Sequence, residues 1–115
     1  MEMEMHMNRK FILSLFLAVT AYSSFANITV YNNCGGWEPI TAECVGSGCG
    51  ISVIEHGIDA NSSQNFATTN GTYSVQIAGS LGINECASVN GANGVVTFKN
   101  NGAGGGCNCN YGPPS

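Results

Sequence analysis

Hydrophobic and polar residues alternate with a period of two in several short segments, which is the pattern of half-buried β-strands. Residues 27–31 (NITVY) would place Ile28 and Val30 on one face of such a strand. Residues 51–55 (ISVIE) form a second candidate strand. Beyond residue 27, no stretch of 11 residues keeps the apolar period of an α-helix. The pattern therefore predicts an all-β protein, built as a small antiparallel β-sandwich or barrel.

The segment 64–79 (QNFATTNGTYSVQIAG) carries the clearest turn signal of the chain. Asn70 and Gly71 suit the two positive-φ positions of a type I′ turn, so we expect a two-residue β-hairpin. Its register would pair Phe66 with Val75 across the two strands. One face of the hairpin would then collect most of the larger side chains, namely Phe66, Thr68, Tyr73, Val75 and Ile77.

A second hairpin is predicted over residues 85–100 (ECASVNGANGVVTFKN), with its bend at residues 91–94. Val96 and Phe98 would point inward from the second strand of this hairpin. Two long segments lack a clear alternation and are predicted to be irregular: 32–50 and 100–115.

The N-terminal residues have the three parts of a secretory signal peptide. Arg9 and Lys10 form a basic patch, and an apolar run follows over residues 11–19. Ser24 and Ala26 would occupy the small positions that precede the cleavage site. We therefore expect the chain to be exported.

Cleavage after Ala26 would divide the chain into a signal peptide, 1–26, and a single disulfide-rich β domain, 27–115. A cut after Ala21 is a weaker alternative. An uncleaved signal would instead anchor the chain, but the apolar run is shorter than the roughly 20 residues that a bilayer requires. We expect a secreted protein, periplasmic if the host is a bacterium, with no stable membrane insertion after cleavage.

Residues 27–115 contain few charged side chains, and Lys99 is the only base among them. Proteins neutralise phosphate groups with lysine and arginine, so this composition argues against binding to nucleic acid or to anionic membranes. No residue pattern points to a cofactor, and we expect a monomer. The acidic residues of this part are Glu38, Glu43, Glu55, Asp59 and Glu85.

All six cysteines lie after the predicted cleavage site. An even number of cysteines in a small exported chain predicts a disulfide framework, here of three bonds. Zinc sites usually contain paired Cys-x2-Cys arms, which do not occur here, so no metal site is expected. Reactive thiols often lie at helix N-termini, whereas Cys107 and Cys109 lie in a glycine-rich tail, so redox chemistry is not expected either. The six residues are Cys34, Cys44, Cys49, Cys86, Cys107 and Cys109.

Cys107 and Cys109 are expected to bond to different distant partners, because cysteines one residue apart bridge each other only with strain. Our preferred first pairing joins Cys34 to this tail, which would close the N-terminal strand onto the C-terminus. Cys44 with Cys49 is a plausible local second bond. Fifteen connectivities are open to six cysteines, and the sequence does not choose among them.

Residues that could support catalysis are few. Ser47 lies between glycines, but not in the strand-to-helix turn that a nucleophile elbow requires. His56 is the only histidine after the predicted cleavage site, and it could serve a small hydrolase if the fold brought Asp59 or a glutamate beside it. A solvated or hydrogen-bonded histidine is the simpler interpretation, so catalysis is the less favoured function.

Trp37 is the residue that we select as a candidate for binding. It follows two glycines close to a cysteine, a setting in which an indole can be presented to a sugar or to a protein. The alternative is that Trp37 caps the hydrophobic core beside a disulfide.

Three Asn-x-Ser/Thr sequons occur, at Asn27, Asn61 and Asn70. In a eukaryotic host Asn61 would be the preferred acceptor of an N-linked glycan, since it lies in a predicted loop. Asn70 lies in the predicted tight turn, and Asn27 would be the N-terminus of the processed chain.

The segment ITVYNNCGGW, residues 28–37, resembles the opening of thaumatin-like proteins, where a β-strand ends in asparagine and cysteine and a tryptophan follows. The later segment 56–77 is similar to their glycine, serine and strand sequence ahead of a cysteine, here Cys86. The resemblance implies a β-sandwich with Cys34 bonded to Cys107 or Cys109. Most of that family has many more cysteines and an acidic cleft, which have no counterparts here, so no glucan-directed or antifungal activity is carried over.

These observations together predict a small exported protein that acts by binding a protein or a glycan at or outside the cell surface. The candidate binding residue is Trp37. A small hydrolase that uses His56 and a structural component of the cell envelope are the two alternatives.

Overall fold

The computed structural model describes residues 26–79, 84–100 and 106–115. The predicted signal peptide, apart from Ala26, lies outside the described residues and stays a prediction. The described residues form β-strands, turns and bends without a helix, and they contain no helix long and apolar enough to cross a membrane. The strands are β1 (Ile28–Asn33), β2 (Glu38–Cys44), β3 (Val53–Ile58), β4 (Ser62–Phe66), β5 (Thr72–Ile77), β6 (Cys86–Asn90), β7 (Val95–Asn100) and β8 (Cys107–Tyr111).

The strands form two sheets of four, which confirms the predicted all-β sandwich. Sheet A has the strand order β4-β1-β7-β8, and sheet B has the order β3-β2-β5-β6. Strands β1 and β7 run parallel, and every other pair in the described residues is antiparallel. Between β1 and β7 the chain forms all four strands of sheet B and also β4 of sheet A. It therefore crosses between the two sheets several times.

The hydrophobic core lies between the two sheets, and both sheets contribute to it through alternate residues. Ile28 and Val30 of β1 are fully buried, as are Val96 and Phe98 of β7, which confirms the inward faces predicted from the sequence. Sheet B contributes the other large group of buried side chains, which are Ile40, Ala42, Ile58, Tyr73, Val75, Cys86 and Val89.

The predicted hairpin at Asn70 and Gly71 is wrong. Strand β4 pairs with β1 in sheet A, whereas β5 pairs with β2 and β6 in sheet B. Residues 67–71 therefore carry the chain from one sheet to the other. A type I′ turn needs positive φ at both central residues; Gly71 has a φ of 132°, but Asn70 does not have a positive φ.

Side-chain hydrogen bonds hold this crossing in place. The Thr68 hydroxyl, which is buried, donates to the carbonyl of Gly91 at 2.7 Å. The Thr69 hydroxyl accepts from the amide of Gly50 at 2.8 Å. Of the five residues predicted to share the inward face, Phe66, Thr68, Tyr73 and Val75 are buried and Ile77 is half-buried. Ser74 and Gln76, on the other face of β5, are buried as well.

The second predicted hairpin is also wrong in its pairing. Strand β6 bonds to β5 in sheet B, and β7 bonds to β1 and β8 in sheet A. A tight bend does occur, since the amide of Gly94 donates to the carbonyl of Asn90 at 2.7 Å. The bend joins β6 of sheet B to β7 of sheet A. Val89 enters the core from sheet B, and Val96 enters it from sheet A.

Two segments predicted to be irregular each contain a strand, so that prediction is wrong in part. Strand β2 lies in the interior of sheet B even though it contains Pro39, which has no amide to donate. Pro39 lies at the end of the ladder, where its carbonyl still accepts from the amide of Ala78 at 2.8 Å. Strand β8 is the C-terminal edge of sheet A, and it pairs with β7.

The six cysteines form three disulfides, as predicted. Cys34 is bonded to Cys107, which confirms that the N-terminal strand is tied to the tail. The local bond between Cys44 and Cys49 is also confirmed. Cys107 and Cys109 have different partners, as expected, and the third bond joins Cys86 to Cys109. This last bond links β6, an edge of sheet B, to β8, an edge of sheet A.

Candidate functional site

Trp37 lies on the outside of the sandwich, at the end of the loop between β1 and β2. It is 60% exposed and takes no part in the hydrophobic core. A Cβ built on Gly57 would lie 2.4 Å from its Cζ2, 2.6 Å from Nε1 and 2.7 Å from Cε2. Cε2 is bonded to both Cζ2 and Nε1 and lies farther than either from this Cβ. The Cβ therefore approaches the indole mainly from its edge. The indole therefore rests on β3 by this edge, and more than half of the residue's surface is exposed to solvent.

Asn32 fixes the loop that carries Trp37. Its side chain is fully buried, and its Nδ2 donates to the carbonyls of Gly36 at 2.9 Å and Ile58 at 2.7 Å. Its Oδ1 accepts from the amide of Cys34 at 3.0 Å. The residue immediately before the tryptophan is thus tied to β1 and to the end of β3. This role could not be predicted from the sequence, since Asn32 follows the predicted strand in a segment expected to be irregular.

The surface around Trp37 is the outward side of the hairpin formed by β2 and β3. Side chains at alternate positions of a strand share a face, and the buried residues Ile40 and Ala42 mark the inward one. We call the opposite side the outer face of β2 and β3. Its members are Trp37, Pro39, Thr41, Glu43, Val53, Glu55 and Gly57.

The outer face of β2 and β3 is acidic and partly apolar. Glu43 and Glu55 are exposed, and the Thr41 hydroxyl donates to Oε2 of Glu55 at 3.3 Å. Val53 is 54% exposed on the same face. Lys99, the only base in the described residues, follows the buried Phe98 and so lies on the outer side of sheet A. Lys99 therefore lies on the side of the molecule opposite to Glu43 and Glu55.

His56 lies on the inward side of β3, away from Glu55. Its ring meets Phe66 of β4 edge to face, with the centroids 4.8 Å apart and the planes at 87°. Across the described part of the chain, no hydrogen bond joins His56 to Asp59 or to a glutamate. The contact closes the side of the sandwich where β3 and β4 meet.

Ser47 is exposed within the loop that the Cys44–Cys49 bond closes. It lies between Gly46 and Gly48, which have φ values of 117° and 98°. No helix follows it, so the nucleophile-elbow geometry is missing at this loop. In the three described ranges, no group of histidine, cysteine or acidic residues is arranged to hold a metal ion.

An open cleft of about 440 Å³ lies between the disulfide loop and the crossing from β4 to β5. Among the described residues, its lining consists of small, apolar, hydroxyl and amide residues and has no titratable side chain: Ala26, Gly48, Ile51, Ala67, Thr68, Thr69 and Asn70. The described part of this lining therefore supplies neither an acid nor a base. Cleavage after Ala26 would also remove part of its wall.

The sequons at Asn61 and Asn70 lie at the surface. Asn61 is exposed in the turn between β3 and β4, with a φ of 58°, and its amide donates to the carbonyl of Asn32 at 2.7 Å. Asn70 is exposed in the crossing between the sheets, and Asn27 is half-buried at the start of β1. Glycosylation stays a prediction, since exposure of the asparagine permits a glycan but does not show that one is attached.

The two-sheet fold and the Cys34–Cys107 bond are what the resemblance to thaumatin-like proteins implies. Neither feature identifies that family, because sandwiches of this kind occur in many unrelated proteins. The resemblance therefore stays a prediction. Comparison of the chain with protein-family models, with curated proteins and with solved structures finds no match.

Proposed function

We propose that this is an exported binding protein that uses the outer face of β2 and β3, around Trp37, to hold a protein or a glycan outside the cell membrane. The observation that carries the proposal is the position of Trp37, which is 60% exposed on a firmly held loop. Exposure of a large aromatic costs solvation free energy, and a loop held by a buried asparagine and a disulfide limits its escape into the core. Tryptophan is among the residues that contribute most to binding interfaces.

Export is supported by the disulfides as well as by the N-terminal signal. Three bonds involve all the cysteines, so none of them is left as a free thiol. Such bonds form and persist in oxidising compartments and are rare in the cytosol. A position at the cell surface, in the periplasm or in the extracellular medium agrees with this chemistry.

The hydrolase alternative has less support. His56 packs against Phe66 on the inward side of β3, and no described carboxylate hydrogen-bonds to it. A structural role in the envelope would not require the exposed indole, although it would require the same stable fold. Binding is therefore the function that the geometry favours.

The proposal is tested by screening the exported protein against an array of glycans and a panel of extracellular proteins, with three variants beside it. Trp37→Ala should lose the captured ligand by at least about tenfold in affinity. Tyr111→Ala is the matched control, because Tyr111 is 62% exposed on β8 at the other side of the sandwich. Retention of full affinity by Trp37→Ala would contradict the proposed surface.

His56→Ala separates binding from hydrolysis, since it should leave capture of the ligand unchanged, whereas a hydrolase would lose turnover. The mass of the same preparation tests export. The measured mass should be that of a chain that begins at Asn27. The protein should take up six alkyl labels, one for each cysteine, only after reduction. A mass that includes the first 26 residues would contradict cleavage at the predicted site.

A further inference from the structure

Strand β3 is an edge of sheet B and is hydrogen-bonded to β2 on one side only. The flanking hydrogen bonds show which residues of β2 face which neighbour. The amide of Cys44 donates to Ser52 at 2.7 Å, on the β3 side. The amide of Val45 donates to Thr72 at 2.9 Å, and the carbonyl of Pro39 accepts from Ala78 at 2.8 Å, both on the β5 side. Even-numbered residues of β2 therefore bond to β3, and odd-numbered residues bond to β5.

The same alternation identifies the free groups of β3. Ile54 and His56 are paired with even-numbered residues of β2, so their backbone amides and carbonyls are hydrogen-bonded to that strand. Val53, Glu55 and Gly57 therefore direct their amides and carbonyls away from β2. Within the described ranges, no backbone hydrogen bond outside the regular ladders involves these three residues. They leave an open row of donors and acceptors, which is a template for one more strand.

The other edges of the sandwich differ from β3. On the far side, the Cys86–Cys109 bond joins β6 to β8, and the Ser88 amide donates to the Tyr111 hydroxyl at 3.2 Å. Strand β4 is an edge of sheet A, but its first four residues, 62–65, are all exposed and polar. Among the edges that the structure describes, β3 is the one that an exposed tryptophan abuts, since the indole of Trp37 lies against its Gly57.

We propose that β3 binds an extended peptide segment of a partner protein as a fifth strand of sheet B, and that this segment carries basic side chains. The proposal rests on the proposed binding function and specifies its ligand. Backbone groups of the segment would pair with Val53, Glu55 and Gly57, as in other cases of strand addition. Trp37 would lie beside the end of the added strand at Gly57.

Charge indicates the chemistry of the segment. Alternate side chains of an added strand would project onto the outer face of β2 and β3, directly beside Glu55 and near Glu43. That face carries two exposed carboxylates, whereas Lys99 lies on the outer side of sheet A. Opposite charges on neighbouring strands attract and like charges repel, which favours lysine or arginine over acidic residues. A second copy of this chain, with a net charge of −4, would be repelled.

The probe is a ten-residue peptide with capped ends in which valine and lysine alternate. Binding is followed by the fluorescence of Trp37, the single tryptophan of the chain. We expect saturable binding that is lost when alternate backbone amides of the peptide are N-methylated, since this removes donors and keeps the charge. Hydrogen exchange should slow at the amides of Val53, Glu55 and Gly57 on binding, and should stay unchanged at Ile54 and His56.

Val53→Pro removes one amide from the open edge. Proline is tolerated at the first residue of an edge strand where its missing amide faces solvent, so the fold should remain. We expect the peptide to bind at least tenfold more weakly to Val53→Pro than to Val53→Ala, which keeps the amide. Circular dichroism checks that both variants are folded.

The outcomes separate the two proposals. Equal binding of the N-methylated peptide, or equal affinity of Val53→Pro and Val53→Ala, would show that charge alone holds the peptide and would overturn strand addition. Absence of saturable peptide binding overturns it as well, and the wider proposal then still stands if Trp37→Ala loses a ligand found on the arrays. If Val53→Pro weakens binding and Trp37→Ala does not, strand addition stands and the proposed role of Trp37 fails.

Discussion

The indole of Trp37 occupies the space that a side chain at Gly57 would need, since a Cβ at that position would lie 2.4 Å from Cζ2. Gly57 lies in the edge strand β3, and its φ lies outside the left-handed region where glycine alone is favoured. Its lack of a side chain is therefore used for packing and not for backbone conformation. The pair ties the exposed aromatic to the open edge of sheet B.

Gly57→Ala should displace Trp37 while it leaves the fold intact. The new methyl group would collide with the indole, and an exposed side chain can rotate away, so we expect the free energy of unfolding to change by no more than about 1 kcal/mol. The fluorescence maximum of the single tryptophan should shift, and ligand affinity should fall. Unfolding in urea and emission spectra measure the two effects.

Gly36→Ala is the matched control for this change. Gly36 also lies next to Trp37 in the chain, its φ is outside the left-handed region, and a Cβ there would meet nothing within 4 Å. Its emission spectrum should match that of the wild type. Identical spectra for Gly57→Ala and the wild type would show that the indole does not rest on β3 in solution.

The buried faces of the strands could be predicted from the sequence, but the pairing of the strands could not. Phe66 and Val75 both face the core, as their alternation indicates, yet they belong to different sheets. A hairpin and a crossing between two packed sheets require the same inward residues, so periodicity does not distinguish them. In the crossing, the Thr68 hydroxyl donates to Gly91 and the Thr69 hydroxyl accepts from the amide of Gly50, and the local sequence reveals neither contact.

Strands β2 and β8 were hidden because their alternation is weak. Strand β2 has only Ile40 and Ala42 as buried residues, between acidic residues and a proline. In β8 the alternating members are Cys107 and Cys109, whose shared face is visible only once their disulfide partners are known. In contrast, the exposure of Trp37 can be predicted from the sequence, because an aromatic beside glycines in a loop is unusual. The open edge of β3 depends on the full strand order and could not be predicted.

Asn32→Ala should be among the most destabilising single substitutions at a polar residue. It would leave the carbonyls of Gly36 and Ile58 and the amide of Cys34 without the partner that Asn32 supplies. Each buried polar group that loses its partner costs about 1–3 kcal/mol, and we expect a total loss near 3 kcal/mol. Urea-induced unfolding, monitored by circular dichroism, measures the loss.

Asn33→Ala provides the comparison, because Asn33 is the next residue and its side chain is exposed. Its substitution should change the free energy of unfolding by no more than about 0.5 kcal/mol. In Asn32→Ala the emission of Trp37 should also move toward that of a mobile, solvated indole, since the loop loses its anchor at Gly36. Equal stability of the two variants would mean that water replaces the side chain of Asn32 without cost.

The three disulfides should contribute unequally to stability, in the order of the loops that they close. Cys34 and Cys107 are separated by 73 residues in sequence, and Cys44 and Cys49 by 5. In the chain-entropy description, the longer loop contributes about 4.5 kcal/mol and the shorter one about 2 kcal/mol, through restriction of the unfolded chain. The double variants Cys34→Ala/Cys107→Ala and Cys44→Ala/Cys49→Ala remove one bond each and leave no free thiol.

The short bond has a different task, because it closes the loop that joins β2 to β3, the two strands of the candidate binding surface. Its removal should therefore lower the urea midpoint modestly, whereas loss of the long bond should unfold most of the protein at 37 °C. Unfolding curves of the two double variants decide the order. A larger loss of stability on removal of the short bond would mean that this bond stabilises the folded hairpin directly. Restriction of the unfolded chain would then not be the main effect of the disulfides.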